Sequence, residues 1–123
     1  MRADQAPAAV GPYSHAVEAS GLLFCSGQLG LDPDSGELVG ETAGDEAAQC
    51  LRNLDAVCTA AGTSLDHAVR LTVYTTALEK FDEINEAYGA RFGADPPARA
   101  VVGASNLPMG ALVEIDAVVA LTA

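Results

Sequence analysis

Two side chains stand out for the chemistry they could perform on a small molecule. Arg99 sits between the rigid turn Pro96-Pro97 and the apolar run Val101-Val102, and Glu114 sits between Val113 and Ile115 in a long apolar alternation. An arginine fork matches a planar carboxylate with two parallel bonds, and each charge-assisted hydrogen bond contributes on the order of 1.5–3 kcal/mol. A carboxylate inside an apolar strand is costly unless it is paired or hydrogen-bonded, and beside a ligand it can act on water as a general base. Both have a plainer account. The chain carries 17 Asp and Glu against 6 Lys and Arg, so Arg99 has many candidates for a structural ion pair, Glu114 among them. Glu114 can equally face solvent beside Asp116. A paired-carboxylate reaction at Glu114 and Asp116 is disfavoured, because side chains two apart on a strand leave no room for a substrate between them.

Other positions are weaker by themselves. Asn85, on the edge of an apolar helix stripe, suits either a satisfied buried amide or a ligand contact, and Tyr13 after Gly11-Pro12 suits a packed ring. Ser26-Gly27 at a strand end allows close approach to backbone N–H. Ser14-His15 is no nucleophile–base pair, since adjacent residues do not readily bring Oγ to Nε2, and the chain has no G-x-S-x-G elbow. It also lacks a phosphate-cradling glycine loop, H-E-x-x-H and an EF-hand pattern, so neither a cofactor nor a metal is expected. Cys25, Cys50 and Cys58 contain no C-x-x-C pair and read as reduced, buried thiols.

The elements that must hold these residues follow from periodicity. Residues 16–20 and 22–28 read as strands joined at Ser20-Gly21, a hairpin turn. Asp32-Pro33-Asp34-Ser35-Gly36 makes 31–40 a loop, with a short strand near Leu38. Thr42, with Asp45 three residues on, reads as a helix N-cap; Ala47, Leu51, Leu54, Cys58 and Ala61 then recur at helical spacing until Gly62. From Ala68 to Thr76 the period becomes two, with Val69, Leu71 and Val73 on one face. A second helix runs from about Leu78 to Phe92 with Phe81, Ile84, Tyr88 and Phe92 as its stripe. Pro96-Pro97 ends it, and a strand begins at Ala100. The last strand, about Ala111 to Leu121, places Val113, Ile115, Ala117 and Val119 on one side and Glu114, Asp116 and Val118 on the other. Two helices cover one face of such a sheet; the partly apolar opposite face is expected to pack against further copies of the chain.

Whole-chain arithmetic sets the bounds. The 123 residues carry a formal charge of −11 and suit one domain, residues 1–123, with an ordinary though alanine-rich core, 24 of the apolar positions being Ala. The acidic balance repels phosphate backbones, so nucleic acid is not an expected partner. No apolar run approaches the roughly 18 residues of a membrane span, and Met1 to Val10 lacks the order of a signal peptide. A cytoplasmic protein without a membrane partner is expected.

Read in order, Ala6-Pro7-Ala8-Ala9-Val10-Gly11-Pro12-Tyr13-Ser14, Ser26-Gly27-Gln28, Asn53-Leu54, Phe81 with Ile84-Asn85-Glu86 and Tyr88, Pro96-Pro97-Ala98-Arg99, Leu107-Pro108 and Gly110-Ala111-Leu112-Val113-Glu114-Ile115-Asp116-Ala117 resemble the RidA (YjgF) family over nearly the whole chain. The resemblance implies an α+β fold, a six-stranded mixed sheet with two helices on one face, like chorismate mutase of the trimeric type. It further implies a homotrimer, sheets inward, with three ligand clefts between subunits. The implied activity is cofactor-independent hydrolysis of enamine and imine intermediates such as 2-iminopropanoate and 2-iminobutanoate to 2-oxo acids and ammonia. By resemblance Arg99 holds the substrate carboxylate, Glu114 orients the attacking water, Tyr13 and Asn85 line the cleft, and backbone groups near Gly27 and Val101 meet the imine or water.

The chain departs from the family's usual residues at His15 (commonly Gln), Ala77 (Asp), Ala100 (Ser), Gly103 (Glu) and Met109 (Lys). These changes bear on cleft polarity and substrate choice. Two alternatives to the deaminase stand beside it. One is a binding protein that captures a small carboxylate without turnover. The other is the endoribonuclease or translation inhibitor of the family's second label, which the acidic balance opposes.

Overall fold

The computed structural model describes residues 1–121, and within them five strands and two α-helices form. In chain order these are β1 (Ala16–Ala19), β2 (Leu22–Leu29), α1 (Ala43–Ala60), β3 (Ala68–Thr75), α2 (Phe81–Phe92), β4 (Ala98–Gly103) and β5 (Val113–Ala120). The sheet order is β1-β2-β5-β3-β4, with β3 and β4 parallel and the other neighbours antiparallel. The architecture is α+β with a mixed sheet, as expected, but the sheet has five strands rather than six. The reason lies partly in the 31–40 loop. Asp32 Oδ1 accepts from the N–H groups of Asp34 and Ser35 at 2.8 and 3.0 Å, closing a tight turn. Leu31 and Leu38 then meet in a single antiparallel bridge instead of a ladder.

Local chemistry accounts for the element ends. Ser20 and Gly21 both take positive φ (53° and 76°), the two-residue turn that matches strand twist in a tight hairpin. Thr42 Oγ1 accepts from Asp45 N–H at 3.0 Å and caps α1. α2 begins at Phe81 rather than Leu78, because residues 78–80 form a separate 3₁₀ turn. β4 starts at Ala98, immediately beyond the prolines, and β5 is shorter than its apolar alternation suggested.

The core lies between the helices and one sheet face. Val113, Ile115, Ala117 and Val119 of β5 and Leu71 and Val73 of β3 are buried with Leu51, Leu54 and Val57 of α1 and Ile84 and Tyr88 of α2. Val69 does not join them: the β3–β5 register shifts between Ala68 and Arg70, and that bulge turns Val69 out to solvent. The three cysteines are free and buried. The opposite sheet face leaves apolar side chains in water, among them Val17 and Phe24, 57% and 46% exposed, which pair across β1 and β2.

Candidate active site

A second irregularity, in β2, builds the centre of a cleft. The β2–β5 register shifts between Cys25 and Gln28, leaving Ser26 and Gly27 without ladder partners in β5. Ser26 N–H instead donates to His15 O at 3.0 Å, and its Oγ donates to Ser14 O at 2.7 Å. Gly27 lies against Glu114: a Cβ there would stand 3.0 Å from Cδ and 3.1 Å from Oε2 of that carboxylate. Asn53 on α1 steadies the end of the strand, its Nδ2 donating to both Leu29 O and Leu31 O at 3.0 and 2.9 Å.

Glu114, Gly27 and Tyr13 line one cleft of about 460 Å³, together with Pro7, Val10 and Pro108. Glu114 is half-buried, on the sheet face away from the helices. Burial first, and the Asp116 charge second, push its carboxyl above the usual glutamate range. That direction suits a group required to take a proton from water near neutral pH. Asp116 Oδ2 accepts from the Tyr74 hydroxyl at 3.3 Å, and the nearby Asp116 charge is the main reason the Tyr74 phenol is pushed up.

Arg99, Asn85 and Val101 form a second group elsewhere. Arg99 pairs in register with Leu71 and Val101 with Val73, so both point to the helix side of the edge strand β4. Arg99 Nη1 donates to Asn85 Oδ1 at 2.8 Å, and its guanidinium lies 4.7 Å from the Tyr88 ring centroid and 5.7 Å from that of Phe81. It forms no ion pair among the described residues; the bridges there join Lys80 to Glu83 and Arg91 to Asp55 and Asp66. The structural salt bridge that composition alone favoured is therefore absent, and Arg99 is a half-buried cation held by an amide oxygen and two aromatic faces.

Arg99 and Glu114 do not meet within one chain. β3 separates their strands, and Tyr74, the register partner of Glu114, faces away from Leu71, the partner of Arg99. Sequence reasoning assigned no site role to Tyr88 or Phe81, which seat the guanidinium, or to Asn53, which anchors the bulged strand. The helical stripe assigned both rings to the core; Tyr88 is buried there, but Phe81, the first residue of α2, stays 37% exposed. Tyr88 is buried with its hydroxyl unpartnered, and burial pushes its phenol up. No group of three His, Cys, Asp or Glu able to hold a metal is present among the described residues, and no helix there is long and apolar enough to cross a membrane.

Comparison with known proteins agrees with this fold. The family model described as Endoribonuclease L-PSP matches residues 3–121. A RutC family protein of Sinorhizobium fredii is 49% identical over 97% of this chain and 94% of its own length. The mouse 2-iminobutanoate/2-iminopropanoate deaminase is 43% identical over 93% of this chain and 84% of that protein. The crystal structure of RidA from the Antarctic bacterium Psychrobacter sp. PAMC 21119 superposes with a TM-score of 0.93 at 41% identity, covering 98% of this chain and 97% of that one. With a family match over residues 3–121, a relative 43% identical over 84% of its own length and the fold of a RidA crystal structure, the chain belongs to the RidA/YjgF family.

Proposed function

We propose that the protein hydrolyses small 2-imino acids and their enamine tautomers, of the 2-iminopropanoate and 2-iminobutanoate type, to 2-oxo acids and ammonia. One observation carries the reading: a half-buried guanidinium, unpaired by any described carboxylate, offered by a stiff edge strand. An ion pair left open in this way has room for a ligand carboxylate. In this reading the cleft is completed between copies of the chain in a homotrimer, Arg99, Asn85 and Val101 coming from one copy and Tyr13, Gly27 and Glu114 from the next. The exposed apolar sheet face, with Val17 and Phe24, supplies the surface for that assembly.

The chemistry asks little of the protein. An imine carbon is already electrophilic, so Arg99 fixes the substrate carboxylate while Glu114 takes a proton from water as its oxygen bonds to that carbon. The proton passes to the imine nitrogen to give a carbinolamine; its hydroxyl proton then moves to the amine by way of Glu114 as the C–N bond breaks, so ammonia departs and the C–O bond becomes the carbonyl of the 2-oxo acid. Placed proton transfer supplies roughly 10²–10⁴-fold, with orientation adding to it. No step calls on a metal or an organic cofactor.

The direct test generates 2-iminobutanoate with a threonine dehydratase and follows its decay. Addition of the protein is expected to speed the decay, and Arg99→Ala to remove most of the gain. Equal rates with and without protein, or with wild type and variant, would end the proposal. Ribonuclease activity is opposed by the net charge of −11; purified protein is expected to leave RNA intact.

A further inference from the structure

His15 is one of the buried polar residues, 4% exposed, and the reaction above makes no use of it. Its ring is clamped from both sides by the segment that precedes it. Ala3 N–H donates to Nδ1 at 2.8 Å, and Nε2 lies 2.8 Å from Pro7 O. A backbone N–H can only donate, so Nδ1 carries a lone pair and Nε2 carries the hydrogen. The ring is thus a neutral imidazole of one tautomer, bonding residues four apart in the same arm. Protonation at Nδ1 would set N–H against the N–H of Ala3 and break the first of these bonds.

The arm held this way is a wall of the cleft. Pro7, Ala8, Val10 and Tyr13 all line the same cavity as Gly27 and Glu114. Ala3 and Ala6 seal it to the core, and Ala6 N–H donates to Ala3 O at 3.2 Å. The backbone of His15 ties the same arm to the bulge, its carbonyl accepting from Ser26 N–H. The titratable groups on the surrounding elements include Arg2, Asp4 and Tyr13 in the arm, the amino group of Met1 on Ala16 O, Glu18 on β1, Cys25, paired with Ala16, and Arg52 and Asp55 of α1, which line one hollow with Arg2 and Asp4. None of them bonds the ring; Ala3 N–H and Pro7 O are its partners among the described residues.

We infer that His15 is a positioning residue: a neutral imidazole that latches the 1–13 arm over the cleft and releases it when protonated. The consequence for turnover rests on the proposed deaminase reading; the latch itself does not. A glutamine is the informative replacement, since its amide offers Nε2–H to Pro7 O and Oε1 to Ala3 N–H without titrating in the range of imidazoles. His67→Gln controls for the other histidine.

The experiment measures amide hydrogen-exchange protection of Ala3 and Ala6, corrected for intrinsic rates, at pH 7.5 and 5.5, alongside kcat/KM for 2-iminobutanoate corrected for uncatalysed decay. In wild type and His67→Gln, protection is expected to fall about tenfold at the lower pH and kcat/KM to fall with it; in His15→Gln protection is expected to hold within about twofold, and kcat/KM to keep only the shallower decline that the Glu114 carboxyl imposes on every variant. Flat protection in wild type, an equal loss in His15→Gln, or an opened arm with the same kcat/KM profile in wild type and His15→Gln would overturn the inference. A protein that turns over no imine at either pH would refute the deaminase reading, and exchange alone would then decide the latch.

Discussion

At the scale of single residues the site is governed by two unequal environments. Arg99 has no carboxylate partner among the described residues and is cushioned by Asn85, Tyr88 and Phe81. Glu114 is held on a half-buried strand beside Asp116, where its charged form is disfavoured and its carboxyl is pushed up. The sign of that shift yields a prediction. A raised folded value means the carboxylate destabilises the fold once ionised, so this contribution to stability declines as pH rises from the ordinary carboxylate range through the raised value. Glu114→Gln is therefore expected to melt at a higher temperature than wild type at pH 7, with the gap closing near about pH 4. The same variant should lose about 10²-fold or more in kcat on 2-iminobutanoate; scanning calorimetry at the two pH values and the imine assay check both halves. Gly27→Ala tests the same carboxylate from across the bulge. Its methyl would meet Cδ and Oε2 of Glu114 at 3.0 and 3.1 Å, and the flexible side chain gives way before the backbone does. The variant should fold, melt close to wild type and lose at least about tenfold in kcat/KM, a 1 Å displacement of a reacting group being that costly.

At the scale of elements, the cleft depends on how closely α1 lies on the end of β2. Gly30 carries no side chain where one would stand 2.8 Å from Glu46 O and 2.9 Å from Glu46 Cα, both backbone atoms inside a helix. Neither can move without the helix. Glu46 in turn accepts from Leu112 N–H at 2.8 Å, fixing the chain just before β5. Gly30→Ala is thus expected to destabilise the fold by about 1–3 kcal/mol through overpacking, read as a lower urea midpoint with an unchanged slope. The contrast with Gly27→Ala is diagnostic: one glycine touches the Glu114 side chain and the other touches backbone. The bulges follow the same logic. A register shift in β2 frees Ser26 and Gly27 to face the arm and Glu114, whereas the shift in β3 turns Val69 away from the core.

At the scale of the whole molecule, the arginine and the glutamate occupy opposite faces of one sheet, so a site that uses both has to draw them from different copies. This makes a clean test of assembly. Arg99→Ala and Glu114→Gln, each expected to lose most of its activity, are denatured together and refolded as an equal mixture. In the proposed trimer, random mixing should restore up to about one quarter of wild-type activity, because one junction in four unites an intact arginine with an intact glutamate. Sedimentation analysis should show three chains per particle. A site confined to one chain would regain nothing, and the seam between copies would have to be abandoned.

Much of this was legible in the residues. The helical spacing from Ala47 to Cys58, the cap at Thr42, the alternation along β5 and the proline stop before β4 all rest on local periods and turn chemistry, which a sequence states directly. The order of the motifs named the family, and with it the roles expected of Arg99, Glu114, Tyr13, Gly27, Asn85 and Val101. What the residues left open depended on long-range pairing. Whether Arg99 met an acid and which face each side chain took were decided by register, since one shifted residue sends every later side chain to the other face. Only the tertiary structure could divide the expected site in two and gather the arm around the neutral ring of His15, because those contacts join positions that no local pattern relates.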